Sequence, residues 1–167
     1  MKNRIGIVMG SDSDFPAWEK AVAVLNRFEI EYLMEVTSAH RTPQRTLEVI
    51  AEFERSGVGV IIAAAGGAAH LPGVVAAHTT LPVLGVPMDS NLQGVDSLYS
   101  IAQMPAGIPV ATFGIGAAGA QNAVLFAIQV LALKDAGLAA KMEEFRAEQS
   151  RSVLEKSRRL REKIGLV

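Results

Sequence analysis

Ser38-Ala39-His40-Arg41-Thr42-Pro43 joins an apolar run that ends near Val36 to a segment opening with proline. Proline has no backbone N–H and a fixed φ, so it is tolerated at the first helical position, and Thr42-Pro43 reads as a helix start. The run from Glu31 to Val36 reads as a strand. His40 and Arg41 then lie in the short loop between strand and helix. This puts an imidazole and a permanent cation at the carboxyl end of a strand, where open α/β sheets place their ligands.

The rest of the chain repeats this strand-to-helix unit. Ile5 to Met9 is a continuous apolar run closed by Gly10, the form of a strand buried on both faces. Ser11, Asp12, Ser13 and Asp14 can cap a helix beginning near Phe15 and Pro16, with Trp18, Val22, Leu25 and Phe28 at helical spacing. After the opening loop, Leu47, Ile50, Ala51 and Phe53 predict the inward stripe of a helix reaching Gly57. Further strands are expected at Val58 to Ala65, Pro82 to Val86 and Ile108 to Phe113. Between them lie a short helix from Val74 to His78 and another from Gly94 to Gln103 with Val95, Leu98, Ile101 and Ala102 inward. This alternation predicts an α/β fold with a five-stranded parallel sheet and helices on both faces.

The helix expected from Ala120 to Leu133 is apolar on nearly every side. It is too short for the ~20 residues that a bilayer requires, and Gln121, Asn122 and Gln129 interrupt it, so burial between subunits is the expectation. Past Gly137 the chain becomes a long charged helix with a sparse stripe at Leu138, Met142, Phe145, Leu154 and Leu160. It is expected to cross a neighbouring subunit, with fraying from Ser150 onward as the alternative. No linker or repeat marks a second domain, so residues 1–167 read as one α/β domain with 138–167 as a helical extension.

Composition narrows the chemistry. The chain holds 16 basic and 17 acidic residues. None of the basic ones lies between Ser56 and Leu133, where Asp89 and Asp96 are the only formal charges. So bare a stretch lacks a solvated face, which predicts an obligate homo-oligomer. There is no cysteine, which excludes disulfides and thiolate chemistry. His40, His70 and His78 stand in separate segments without ligand spacing, so no metal is expected. The glycines at Gly114, Gly116 and Gly119 lack the dinucleotide spacing, and no lysine sits in a phosphate-binding glycine loop, so no NAD or ATP fingerprint is present. The run Ile5 to Met9 is too short for a signal-peptide core, which makes the cytoplasm the expected location. No nucleic-acid or membrane partner is expected.

Three segments should therefore meet at one rim of the sheet: Gly10 to Asp14, Ser38 to Arg41, and Gly66 to Gly73. The first offers the hydroxyls of Ser11 and Ser13, backbone donors at a helix start and the Asp14 carboxylate, a set suited to a phosphorylated sugar. Ser38 and Arg41 adjoin it, Arg41 supplying the nearby guanidinium. In the third, Gly66, Gly67, Ala68 and Ala69 leave room for a compact uncharged molecule beside His70 and Leu71. His78 is expected at the surface.

At these residues, together with Gly94 to Ser100 and Gln103-Met104-Pro105, the sequence closely resembles the N5-carboxyaminoimidazole ribonucleotide mutases of purine biosynthesis, from about Arg4 to Leu133. It is more similar to the bacterial mutase branch than to the animal-type carboxylases, which carry Lys and Gly where this chain has Arg41 and Thr42. Gln93, Gly114 and Ala117 depart from the usual pattern. The resemblance implies a three-layer flavodoxin-like subunit, an octamer with active sites at subunit contacts, and a reaction without metal or cofactor. In that reaction a carboxylate moves from an exocyclic nitrogen to an imidazole ring carbon of a nucleotide substrate. It further implies that His40 is the general acid and base, that Ser11, Asp14 and Arg41 bind the ribose phosphate, and that Gly66 to Leu71 shape the carboxylate pocket. Contact with the enzyme that makes the carbamate substrate is a further expectation. The competing readings are a carboxylase that adds carbon dioxide directly and a flavin- or nucleotide-binding module without catalysis.

Overall fold

Five apolar segments pair side by side in the computed structural model, which describes residues 3–166. The strands are β1 (Arg4–Met9), β2 (Glu31–Val36), β3 (Val60–Ala65), β4 (Val83–Pro87) and β5 (Ala111–Thr112), all parallel in the order β2-β1-β3-β4-β5. The helices are α1 (Glu19–Arg27), α2 (Pro43–Arg55), α3 (Leu71–Ala77), α4 (Val95–Ala102), α5 (Gly116–Ala132) and α6 (Ala136–Lys163). The chain divides into two units, Met1–Leu131 and Ala132–Val167.

Strand order decides where the helices go. The connection from β1 to β2 steps one way along the sheet, and those from β2 to β3, β3 to β4 and β4 to β5 step the other way. Because parallel crossovers are right-handed, α1 covers one face while α2, α3 and α4 cover the opposite one. Side-chain alternation agrees. Val8, Ile61, Ala63 and Val83 share a buried cluster with Val49, Ile50 and Phe53 of α2, Leu71 and Val75 of α3, and Ile101 of α4. Ile5, Ile7 and Ile62, one step out of phase with that set, point to the other side and are fully buried. Gly6 lies on the α2 face, and a Cβ there would stand 2.3 Å from the Phe53 ring, so the glycine makes room for the phenylalanine.

Several element details differ from the sequence reading. Asp12–Trp18 is a 3-10 helix and the α-helix begins only at Glu19. Pro16 lies inside the tighter turn, where a proline leaves one N–H fewer for an α ladder. Val22 is only half-buried; Ala21, Val24 and Leu25 face the core. In α2 the buried residues are Thr46, Val49, Ile50 and Phe53, while Leu47 is 40% exposed. In α4 they are Ser97 and Ile101, with Val95 and Ala102 exposed. Both rotations put a hydroxyl inward where the loops above require one. The short third helix starts at Leu71 instead of Val74. β5 is limited to two residues, since Pro109 brings no ladder donor to the run expected from Ile108. The last helix runs without a break to Lys163, past Ser150.

Candidate active site

Parallel strands end at one rim, so the loops after β1, β2 and β3 share it. The β1 and β3 connections also leave in opposite directions, which opens a crevice between them. A cavity of about 440 Å³ lies there, lined by Gly10, Ser11 and Asp14 from the first loop, Ser38, Ala39, His40 and Arg41 from the second, and Ala65, Gly66, Ala68, Ala69, His70 and Leu71 from the third. Of the candidate residues, Ser11, Asp14, Ser38, His40, Arg41, Gly66, Ala68, His70 and Leu71 therefore face one space. Ser13 does not line it: its hydroxyl meets Ser11 Oγ at 2.7 Å, and its N–H donates to the same oxygen at 3.2 Å. His78 is exposed, its Nδ1 2.8 Å from the Val74 carbonyl.

The loop that carries His40 is held by hydroxyls. Thr37 and Thr46 are both buried, and their Oγ1 atoms lie 2.7 Å apart. Thr37 Oγ1 also lies 3.3 Å from Thr42 Oγ1, which accepts the Ser38 N–H at 2.9 Å. Arg41 donates its N–H to Ser38 Oγ at 3.1 Å, and its guanidinium donates to the Gly10 carbonyl at 3.4 Å, tying the second loop to the first. Thr46 lies one helical turn beyond Thr42, so the inward polar stripe of α2 is a scaffold for the loop.

Across the cavity the third loop brings His70 to His40. The His40 Nε2 and His70 Nδ1 atoms are 2.6 Å apart, and the rings meet edge to face with centroids 4.8 Å apart. One hydrogen fits between the two nitrogens, so one ring donates and the other accepts. The neighbouring walls of Gly66, Ala68 and Ala69 carry no polar side chain. The site thus combines a proton-carrying pair, a cation and an apolar recess. Among the described residues no three or more His, Cys, Asp or Glu side chains group closely enough to hold a metal ion.

Asp14 is half-buried, and burial pushes its carboxyl above the ordinary aspartate value, with Asp12 adding repulsion and a hydrogen bond to the Ser11 backbone opposing them. The sign of the consequence follows from proton linkage. Between the unfolded value and the raised one, the native state holds a proton that the unfolded chain has released. Folding stability therefore falls as pH rises through that window, and at pH 7 the ionised group carries the whole cost. Asp14→Asn is expected to raise Tm at pH 7, with the difference from the parent closing as pH drops below the ordinary carboxylate range. Thermal unfolding at pH 7 and pH 3 checks this, and a parent more stable than the variant at pH 7 would contradict it. A residue kept at a cost in stability is the pattern of a binding group.

A doubly wound sheet with acid–base groups and a guanidinium at its switch point defines a small-molecule enzyme of the parallel α/β class. The AIR carboxylase family profile matches residues 4–152, and the chain belongs to that family. It is 55% identical over 152 residues to the N5-carboxyaminoimidazole ribonucleotide mutase of Vibrio vulnificus, covering 90% of this chain and 94% of that one. It is 51% identical over 163 residues to the enzyme of the same name from Thermotoga maritima, covering 97% and 94%. The crystal structure of Treponema denticola PurE superposes with a TM-score of 0.85 at 28% identity, over 94% of this chain and 98% of that one. The five-stranded flavodoxin-like architecture is shared with it.

Two features of the site escaped the sequence reading. Ala65, the last residue of β3, also lines the cavity, whereas Gly67, expected in its wall, does not. The hydroxyls of Thr37, Thr42 and Thr46 went unread because threonine in a helix gives no periodic signal of its own. The spacing of Thr42 and Thr46, one turn apart behind the loop, was the sign available.

Proposed function

We propose that this chain is an N5-carboxyaminoimidazole ribonucleotide mutase of purine biosynthesis, an isomerase that converts N5-carboxyaminoimidazole ribonucleotide to 4-carboxy-5-aminoimidazole ribonucleotide. The observation that carries the reading is His40, beside Arg41 and in contact with His70, facing a recess of glycine and alanine in one cavity.

The chemistry follows from those groups. His40 as imidazolium gives its proton to the exocyclic nitrogen as the N–C bond of the carbamate breaks, leaving aminoimidazole ribonucleotide and carbon dioxide. The ring carbon attacks the carbon dioxide, and the neutral imidazole removes the proton displaced from that carbon. Atoms and charge balance, and the imidazolium is restored, so one histidine serves both steps. Between them carbon dioxide must be held. Walls of Gly66, Ala68 and Ala69 give it a small space without polar competitors, where its effective concentration exceeds what solution can supply. Arg41, Ser11 and Ser38 are assigned to the phosphate and Asp14 to the ribose hydroxyls. This assignment is supported by the rim position of all four and by the Arg41 contact with the Gly10 loop.

The test is direct. Purified protein mixed with the synthetic carbamate substrate is expected to form the ring carboxylate, followed in the ultraviolet, without added bicarbonate. Turnover only of aminoimidazole ribonucleotide plus bicarbonate would identify a direct carboxylase instead. A yellow protein inert to both substrates would identify a flavin-binding module.

The same reading places the enzyme in the cytoplasm as an octamer in which α6 lies across a neighbour. In support, Leu92 and Tyr99 in the charge-poor stretch are 64% and 62% exposed, and Leu154 and Leu160 on α6 are exposed too. Apolar side chains this open favour cover by another subunit. Sedimentation at micromolar concentration is expected to show a single large assembly, and a stable soluble monomer would contradict it. Hand-over of the labile carbamate from the enzyme that makes it is a further expected contact. Among the described residues no helix is long and apolar enough to cross a membrane.

A further inference from the structure

Ser97 and Ser100 stand one turn apart on α4, outside the cavity, and both reach the loop that ends at His70. Ser97 is fully buried, and its Oγ accepts the Gly67 N–H at 2.9 Å. The Ser100 hydroxyl donates to the Ala68 carbonyl. One hydroxyl thus takes the loop's donor and the other its acceptor, at successive residues.

That loop requires holding. Gly67 has φ +64° and Ala69 φ +45°, two left-handed residues, and the second carries a methyl group whose residue is only 5% exposed. Left-handed backbone at a non-glycine residue persists only where its surroundings determine it. Gly66 adds a tight point, since a Cβ there would come within 2.9 Å of the Asp89 carbonyl oxygen. His70 follows directly, and its ring nitrogen meets His40 at 2.6 Å.

We infer that Ser97 and Ser100 are positioning residues, which fix the Gly66–His70 loop through its backbone and thereby set both the recess and the place of His70 against the His40 imidazole. The inference rests on the reading of His40 as the proton carrier and adds α4 to the parts that reading requires. Neither serine lines the cavity, so substrate affinity is not where their loss should appear. It should appear in the chemical step, which depends on placement to fractions of an ångström.

Ser100→Ala and Ser100→Thr form the central comparison. Alanine is the better helix former, which offsets part of the lost hydrogen bond, so Ser100→Ala should still fold and unfold within a few degrees of the parent's temperature. It is expected to lose about 10-fold in kcat with KM within about twofold, and threonine, which keeps the hydroxyl, to recover most of the loss. Two readouts need no turnover. Imidazole nitrogen spectra of the free protein should show the His40–His70 contact perturbed in Ser100→Ala and restored in Ser100→Thr. Amide exchange at Gly67 should quicken at least tenfold in Ser97→Ala; if that variant does not fold, the Ser100 pair decides alone. Parent-like kcat and an unchanged imidazole spectrum in Ser100→Ala would overturn the inference. If the parent protein itself fails to convert the carbamate, the functional reading falls while the spectra and exchange still decide the positioning claim.

Discussion

His40→Asn is expected to keep the fold and the affinity for the nucleotide while losing ~10² or more in turnover, the usual scale for removal of an acid–base group. The side chain is exposed at a loop, so its loss removes no core contact. Asparagine retains a polar tip near His70 but carries no transferable proton at neutral pH. Phosphate and ribose recognition is assigned to Ser11, Asp14, Ser38 and Arg41, which the substitution leaves in place. The expected signature is a fall in kcat with KM nearly unchanged, and a binding isotherm for the product that matches the parent's. A variant with near-normal turnover would remove His40 from the mechanism, and one that lost affinity and turnover together would make it a binding residue.

Gly119→Ala is expected to be the most damaging single methyl addition to the scaffold. A Cβ at this position of α5 would lie 1.6 Å from the Gly114 carbonyl oxygen and 2.5 Å from its carbon. Backbone atoms cannot rotate aside as a side chain can, so the turn into the helix must move. Overpacking of this kind costs about 3 kcal/mol or more, which for a chain of this size corresponds to a fall in Tm of roughly 6–12 °C. Gly116→Ala is the informative comparison. Its φ of +67° disfavours a side chain, but among the described residues no atom beyond its chain neighbours and its own helix backbone lies within 4 Å of the added carbon. The 116 variant is expected to lose less than the 119 variant, because strain at one dihedral angle is smaller than collision with a peptide. Equal thermal stability of the 119 variant and the parent would show that the glycine is not required by this contact.

How much of this could be read from residues alone depended on what kind of signal each feature leaves. Strands buried on both faces show as unbroken apolar runs, and the end of β1 followed directly; the bounds of β2, a half-buried edge strand, also fell at the expected Glu31 and Val36. The convergence of Ser11, Asp14, Ser38, His40, Arg41 and His70 on one cavity was legible too, because every parallel strand delivers its following loop to the same rim. The rotation of α2 and α4 was not. An apolar stripe places Leu47 and Val95 inward, whereas the structure exposes them and buries Thr46 and Ser97. Hydrophobic periodicity counts a hydroxyl as solvent-facing. Here it is the nearest partner for a loop's backbone, and that demand comes from segments far away in sequence. The same holds for the tight turn at Asp12–Trp18, where proline shows that an α ladder is interrupted without showing which helix replaces it.

The indole of Trp18, the chain's only tryptophan, is wholly enclosed, and its Nε1 has no hydrogen-bond partner among the described residues. An indole in so dry a setting emits at short wavelength, and exposure to water on unfolding shifts the emission to the red. The protein therefore contains its own optical reporter, with no competing fluorophore of the same kind. Because Trp18 ends the same short 3-10 helix that begins beside Ser11 and includes Asp14, an occupant of the rim should perturb the signal as well. One cuvette measurement can then follow both the melting of the Asp14 and Gly119 variants and the docking of a nucleotide.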